Sequence, residues 1–550
     1  MKLTPEQLCK RYDHLKSKRG IWEQHWQEVL DYTLPNAQDV ITKRTPGTKK
    51  GVLLFDNTAM NSCEDLGAAL HGMLTNPNIF WHEYTTSDQR LNEDDNIREY
   101  LQFLTAQMHG YLNASNFQTE VHQFYLDLCT IGTACMTIEK NEEKIFHFST
   151  KHIADYVISE NNLGMVEELL RTFKWTASQV LQEFVPTLFP GKSLDELLKF
   201  SEKEMKDKFG DKIIECYKNG KSDEFELLHG VYKSDLLAAQ GKSFVSQYVL
   251  KSEKDKKEFR VNGFRRFPYV VARWIKMSGE VYGRSPAMKA LPNNKSVNQM
   301  LKAVIKAAQK VVDPPTQGPD DGFLRPLKTA PGSHHYYRAG SPDRIEAIFK
   351  DINPRIGLDI ILEERRQIKE GFYIDKLNLL QSDRMTTVEV TQRIDEQLRF
   401  LAPMLGRQYT EFLIPLSDRM IDLAVEADAE TGEILGDVPE ELLDQKLNVQ
   451  YTSPIARSQI VTQGQSMVRA LEASAQFLQL DPTAGDVIDA KEAVRLNWRN
   501  YGAPQKALRT NKELEELAQA RQEAQEVALQ QQQGLVEAEQ IQKVAPVLKG

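Results

Sequence analysis

Lys295, Lys302, Lys306 and Lys310 recur along a run rich in Ala and Val between residues 287 and 312. On a helix turning about 100° per residue they share a stripe about 80° wide. Val297, Leu301, Val304, Ile305, Ala308, Val311 and Val312 form a second, apolar stripe. A row of ammonium groups at that spacing can face a phosphate backbone and displace its counterions. The solvated side of any amphipathic helix has the same pattern, and the wheel alone does not separate the two.

Other residue types that could do chemistry are less well placed. Two Gly-Lys-Ser triplets, at 191–193 and 241–243, are reminiscent of a phosphate loop, which needs a further glycine heading a G-x-x-x-x-G-K-S run. Pro186 and Leu236 occupy those positions, so neither triplet predicts a nucleotide motor. His147 and His152 have no Cys or carboxylate at ligand spacing and read as structural histidines. Cys9, Cys63, Cys129, Cys135 and Cys216 are scattered without a CxxC pair and read as reduced thiols. No paired carboxylates with nuclease spacing occur, so no catalytic residue, metal or cofactor is expected.

At 550 residues, 41 % hydrophobic and 27 % charged, the chain has a globular composition with room for several cores. A net charge of −9 means that contact with nucleic acid must be local or must avoid tight binding. No window approaches the apolar length of a membrane span, and Met1 to Glu6 lacks a signal-like apolar run. A soluble protein made in a cytoplasm, with no membrane partner, is expected.

The elements that must position the lysines follow from periodicity. The longest helical pattern runs from Met385 to Val425, with Thr386 or Thr387 as cap, Glu389 in the capping-box position, and kinks at Pro403 and Pro415. About 40 residues at roughly 1.5 Å each reach about 60 Å, a length that suits a subunit packed among copies of itself. Upstream, one helix is expected over 4–33, a small-residue helix through Leu66 and Met73, and helices over 94–113 and 116–132. Strands are expected within 132–139, 144–148 and 166–173, then a helical insert over 175–207, then strands near 212–217, 224–232, 243–251 and 268–275.

Pro292 is expected to open the lysine-bearing helix, and Asp313-Pro314-Pro315 to stop it. An excursion rich in Pro, Gly and aromatics, holding Tyr336, Tyr337 and Arg338, separates it from a second helix at 355–370. That order predicts an antiparallel helical pair with a knob at its tip. Phe372 to Asp383, centred on Lys376, Leu377, Asn378, Leu379 and Leu380, reads as a loop. Asp428 to Leu447 reads as an acidic linker, 449–454 as extended, and 455–480 and 489–501 as helices ahead of a Gln-rich helical tail over 511–543. The fold class expected is α+β, mainly helical.

In chain order, several segments resemble the signatures of the podovirus head-to-tail connector (portal) family. They are Asp56-Asn57-Thr58, Leu74-Thr75-Asn76-Pro77 with Trp81, Gly132-Thr133, Arg273-Trp274 and Tyr282-Gly283-Arg284-Ser285-Pro286. Asp313-Pro314-Pro315, Arg384-Met385-Thr386-Thr387-Val388-Glu389-Val390, Leu405-Gly406, Glu411 to Pro415 and Tyr451-Thr452-Ser453-Pro454 continue the series, with Thr387 where the family usually has Ala. The likeness covers nearly the whole chain.

The resemblance implies a ring, typically of twelve subunits, at one capsid vertex of a virion, made in the host cytoplasm. Double-stranded viral DNA would pass through it transiently and without sequence preference. It implies a wing at 1–286, a stem at 287–312 and 354–371, a clip at 313–353 and a channel loop at 372–385. A long kinked wing helix with the acidic linker follows at 386–447, then a helical crown and tail at 448–550. Lys295, Lys302, Lys306, Lys310, Lys376, Leu377, Leu379 and Leu380 would line the channel. Tyr336, Tyr337 and Arg338 would dock an adaptor or motor. Implied partners are the terminase motor, tail adaptor and head-completion proteins, and the major capsid and scaffold proteins. The competing reading is an enzyme of the packaging machine, an ATPase or nuclease, against which the missing phosphate loop and carboxylate cluster argue. A scaffold or adaptor module is a third, though such proteins are usually shorter.

Overall fold

A buried arginine divides the first helical stretch. In the computed structural model of the chain, α1 (Pro5–Lys18) opens with a capping box between Thr4 and Gln7, and α2 (Gly20–Thr33) starts one residue after α1 ends. Arg19 between them is 1 % exposed and donates to the carbonyls of Ile153, Ala154 and Tyr156 and to Glu23. A guanidinium that far from water needs its donors filled, so the single helix expected over 4–33 breaks there.

The structure describes residues 2–42, 44–45, 47–51, 54–141, 143–251, 256–312, 316–317, 346–347, 355–377, 402–432, 434–442, 447–451, 464, 466–474, 489–500, 509, 513–514 and 516–525. After α2 come α3 (Thr58–Leu74), β1 (His82–Thr86), α4 (Gln89–Glu93), α5 (Asp95–Ala114) and α6 (Phe117–Thr130). Next are β2 (Thr133–Asn141), β3 (Ile145–Lys151), β4 (Tyr156–Glu160), β5 (Val166–Thr176), α7 (Ala177–Leu188), α8 (Leu194–Phe200), α9 (Glu202–Phe209) and α10 (Asp211–Lys218). Then follow β6 (Glu224–Lys233), β7 (Phe244–Leu250), β8 (Glu258–Phe264), β9 (Tyr269–Arg273), α11 (Pro286–Val312), β10 (Thr316–Gln317) and β11 (Glu346–Ala347). The order closes with α12 (Arg355–Gly371), α13 (Ile374–Leu377), α14 (Ile414–Thr431), β12 (Leu447–Tyr451) and α15 (Ala490–Asn500). This is a mainly helical α+β chain.

Two compact units emerge, Met1–Ile79 with His109–Ile434, and Phe80–Met108 with Leu435–Gly550. In the first, a five-stranded antiparallel sheet in the order β4-β5-β6-β7-β8 is buried on both faces. Successive residues on a strand point to opposite faces, so Leu227 packs with Phe184, Phe209 and Ile213 of the α7–α10 insert. Its neighbour Leu228 packs with Leu8 and Tyr12 of α1. The strand expected at 212–217 is the helix α10, because Ile213 and Ile214 face the insert's apolar cluster while Asp211, Lys212 and Glu215 are exposed. β8 and β4 went unread in the sequence, β8 lying between short charged runs and β4 in a stretch of mixed polarity.

A second sheet, β3-β2-β9, has both edges closed by helical side chains. Asn116 accepts from the Phe148 N–H at 2.9 Å and donates to its carbonyl at 2.7 Å, taking the place of a strand. On the other edge, Glu411 accepts the Arg273 N–H at 2.9 Å and Gln408 donates to the Arg273 carbonyl at 3.0 Å. Edges satisfied in this way do not recruit stray strands.

Of the long helix expected from 385, residues 378–401 lie outside the described part. Residues 402–408 are helical, a π turn occupies Tyr409–Leu413, and α14 carries on with Pro415 in its first turn. The kink expected at Pro415 thus takes the form of a widened turn, since proline supplies no N–H to the turn before it. α14 ends at Gly432, in the left-handed conformation (φ 68°) with its N–H on the Asp428 carbonyl at 2.7 Å. The first residues of the expected acidic linker are therefore helical. In the second unit, β1 pairs antiparallel with β12, and Trp81 stacks on Tyr451 at 6.4 Å.

Candidate nucleic-acid interface: the helical hairpin and its anchors

α11 begins earlier than expected. The Ser285 hydroxyl accepts the Met288 N–H at 3.0 Å and donates to the Thr130 carbonyl at 2.7 Å, and Pro286 takes the first helical position. A serine cap with proline after it is a stronger start signal than Pro292 alone, which instead lies inside the helix. α12 returns alongside α11. Gly371 meets Ala290, Asn293 donates to Gln367 at 2.7 Å, and Gly357 meets Val304, so the pair is antiparallel. At its tip, Thr316 and Gln317 pair antiparallel with Ala347 and Glu346. Tyr336, Tyr337 and Arg338 lie outside the described residues.

Lys302, Lys306 and Lys310 are exposed on α11. Lys302 sits 5.9 Å from the Phe55 ring centroid. Lys295 is different: its ammonium pairs with Glu28 and lies 5.9 Å from the Tyr32 ring. Lys295 is therefore tied to another helix at the root of the hairpin, while the other three side chains are exposed. The apolar stripe is divided too. Val297 is buried, but Ile305 is 42 % and Val312 85 % exposed. On α12, Ile361 and Ile368 are buried, whereas Leu358 and Leu362 are 45 % and 61 % exposed. Each helix thus carries an apolar flank that its partner does not cover.

Asp56-Asn57-Thr58 pins the hairpin. Asn298 of α11 accepts the N–H groups of Phe55 and Asp56 at 2.7 and 3.1 Å. The Asp56 carboxylate accepts from the Thr58 N–H at 2.7 Å and from Arg365 of α12 at 2.6 Å. Burial opposes its charge, yet these donors outweigh burial and hold its pKa below the usual carboxylate range. Asn294 donates to the Tyr32 carbonyl at 2.8 Å, so α2 is tied to the same level. Beside this knot is an open cavity of about 450 Å³ bounded by Asp56, Asn61, Asp65, Arg365, Lys369 and Ile374.

Three further signature segments meet in one joint. Gly132 and Gly283 are in backbone contact: a Cβ on Gly283 would lie 2.2 Å from the Gly132 carbonyl oxygen. The Gly283 N–H donates to Thr133 at 2.8 Å and the Trp274 N–H to Gly132 at 2.9 Å. Arg273, 2 % exposed, donates to Glu411, to Glu160 at 2.8 Å and to the Gly164 carbonyl at 2.7 Å. Burial works against its charge, and Glu411 and Glu160 together more than restore it, so its pKa is raised.

The segment expected as a loop from Phe372 opens with packed structure. Phe372 and Ile374 are buried, and Ile374–Leu377 forms a helical turn with Lys376 exposed and Leu377 half-buried. Leu379 and Leu380 lie outside the described residues.

The remaining candidates are structural. Ser193 caps α8 through a capping box with Glu196, and Gly241 closes a short 3-10 turn in the left-handed region. His147 is exposed on β3. His152 accepts the Ala154 N–H at 3.3 Å, and burial and then Arg19 hold its pKa down at about 4. Among the described residues no group of three or more metal-ligating side chains occurs, and no helix is long and apolar enough to cross a membrane. Asn298, Arg365 and Glu160 were missed in the sequence because their partners stand far away in the chain.

The profile of a family described as "Bacteriophage head to tail connecting protein" matches residues 5–508. The chain is 27 % identical over 503 residues to the "Probable portal protein" of Bordetella phage BPP-1, covering 88 % of this chain and 85 % of the relative. It is 24 % identical over 503 residues to the "Portal protein" of Salmonella phage epsilon15, covering 89 % and 86 %. With most of its length matched, the chain belongs to the family of bacteriophage head to tail connecting proteins.

Proposed function

We propose that this chain is a phage portal protein, one subunit of a ring that conducts double-stranded DNA at a capsid vertex during packaging, retention and ejection. The observation that carries the proposal is the hairpin. It has three exposed lysines on α11 and one uncovered apolar flank on each helix: Ile305 with Val312, and Leu358 with Leu362. Different surfaces on the two sides of one element suit head-to-tail contacts, which close into a ring when the rotation is right. Flank-to-flank packing of hairpins leaves the lysines of every subunit at one level, where they soften repulsion of passing phosphates while the net charge of −9 keeps the polymer mobile.

In this arrangement residues 287–312 and 354–371 are the stem, 313–353 the clip that docks motor, adaptor and head-completion proteins through Tyr336, Tyr337 and Arg338, and 372–385 the channel segment. Residues 1–286 and 386–447 form the wing, 448–550 the crown. Twelve subunits are expected. The chain acts in the virion by structure, without catalysis of its own. Electron microscopy of the purified full-length protein, with native mass spectrometry for the count, tests this: rings with a central hole are expected, and monodisperse monomers or closed dimers would overturn it.

A further inference from the structure

We propose that Tyr373 is the residue that aims the channel segment, holding Lys376 and Leu377 in place through a left-handed turn locked against Trp274. This rests on the conduit proposed above. Tyr373 has φ +61°, one of two non-glycine residues with positive φ among those described. Its N–H still closes α12, on the Glu370 carbonyl at 3.0 Å, just as the Phe372 N–H reaches the Ile368 carbonyl at 3.1 Å. Its own carbonyl already accepts the N–H groups of Lys376 and Leu377, both at 3.0 Å. One residue therefore ends α12 and starts α13.

Positions of this kind normally go to glycine or asparagine, because a Cβ crowds the carbonyl in the left-handed region. The nearby glycine, Gly371, does not take the left-handed position; it faces Ala290 of α11, 3.4 Å from where its Cβ would be. A tyrosine keeps a disfavoured backbone only where its surroundings hold it. Here the Tyr373 ring lies 6.3 Å from the Trp274 ring, and the residues on either side, Phe372 and Ile374, are 0 % and 5 % exposed. Trp274 is itself fixed, 2 % exposed with its N–H on Gly132 and next in sequence to Arg273. The aromatic contact thus ties the root of the channel segment to the joint where the Gly132, Arg273 and Gly283 segments meet. A glycine would make the same turn but would not choose its direction.

The test uses the full-length chain with Tyr373→Phe, Tyr373→Gly and Tyr373→Asn. Trypsin cleavage after Lys376 is followed by mass spectrometry against cleavage after Lys306 as internal reference, together with melting and the length of DNA packaged in complemented infections. Tyr373→Phe should match the wild type. Tyr373→Gly and Tyr373→Asn keep the turn and lose the ring, so assembly and melting should hold while cleavage after Lys376 rises about tenfold and packaged DNA shortens. Wild-type cleavage and packaging in the glycine and asparagine variants would overturn the proposal. So would failure of both to assemble, which would make Tyr373 a folding determinant. Deletion of 376–380 separates the two levels. If it leaves packaging intact the conduit assignment of this segment fails, and if it impairs packaging while the Tyr373 variants do not, only the role of Tyr373 does.

Discussion

Glu411 meets Arg273 three times: its carboxylate accepts the Arg273 backbone N–H at 2.9 Å, Nε at 3.1 Å and Nη2 at 2.8 Å. One acid therefore closes the β9 edge and neutralises a guanidinium that is 2 % exposed, joining the π turn before α14 to the joint of signature segments. Removing Glu411 leaves the buried guanidinium with Glu160 as its remaining carboxylate partner and Nε without an acceptor. Glu411→Ala should cost about 3 kcal/mol, whereas exposed Glu363→Ala, which loses surface contacts with Arg366 and Gln367, should leave the midpoint near that of the wild type. Urea melts of the two variants check this, and equal midpoints would remove Glu411 from the role.

The contact between Gly132 and Gly283 leaves no room for a methyl group. A Cβ on Gly283 would lie 2.2 Å from one oxygen and 2.9 Å from the Arg273 Cβ, and Gly132 also has φ +84°. Gly283→Ala and Gly132→Ala should each destabilise by about 3 kcal/mol or more, enough to lower soluble yield. By contrast Gly72→Ala, in the last turn of α3 with open space around it, should be neutral or stabilising by up to about 1 kcal/mol. Thermal melts that fail to separate these three would show that the backbone contact yields.

Asp127, 2 % exposed near the end of α6, has one side-chain donor, Gln123 at 3.0 Å, and burial raises its pKa to about 7. The unfolded carboxyl titrates near 4, so between about pH 4 and 7 the folded state holds more protons and stability falls as pH rises. The loss reaches on the order of 4 kcal/mol above pH 7. Asp127→Asn should remove that slope and be the more stable protein at pH 8. Parallel slopes for wild type and variant between pH 5 and 8 would show that the carboxyl is not titrating there.

Lys302, Lys306 and Lys310 are exposed, so changing all three to Gln should shift stability by no more than about 0.5 kcal/mol per site. Particles carrying the triple variant should package or retain less DNA than wild type, with a weaker dependence on salt. Unchanged packaging across ionic strengths would leave these cations as an ordinary solvated face.

Leu358→Asp and Leu362→Asp place charges on an exposed flank, where the folded chain tolerates them and a hairpin-to-hairpin contact does not. Sedimentation should show the subunit's fold retained, by circular dichroism, with rings lost. Normal rings would move the subunit contact away from the hairpin.

Local signals were legible in the sequence wherever one residue governs its neighbours. Thr4 with Pro5 starts α1, Asn161 to Gly164 makes the turn before β5, and the order of α11, excursion and α12 gives the hairpin. Each depends on contacts a few residues apart, which spacing records. Tertiary structure decided what depends on partners distant in the chain: the break at Arg19, which answers to carbonyls more than 130 residues away, and the Asp56–Arg365 pin, which spans 309 residues. It also withdrew Lys295 from the stripe, because Glu28 comes from another helix. A helical wheel knows only which residues share a face. What lies opposite that face, and so whether a lysine meets water, an acid or a phosphate, is set by packing.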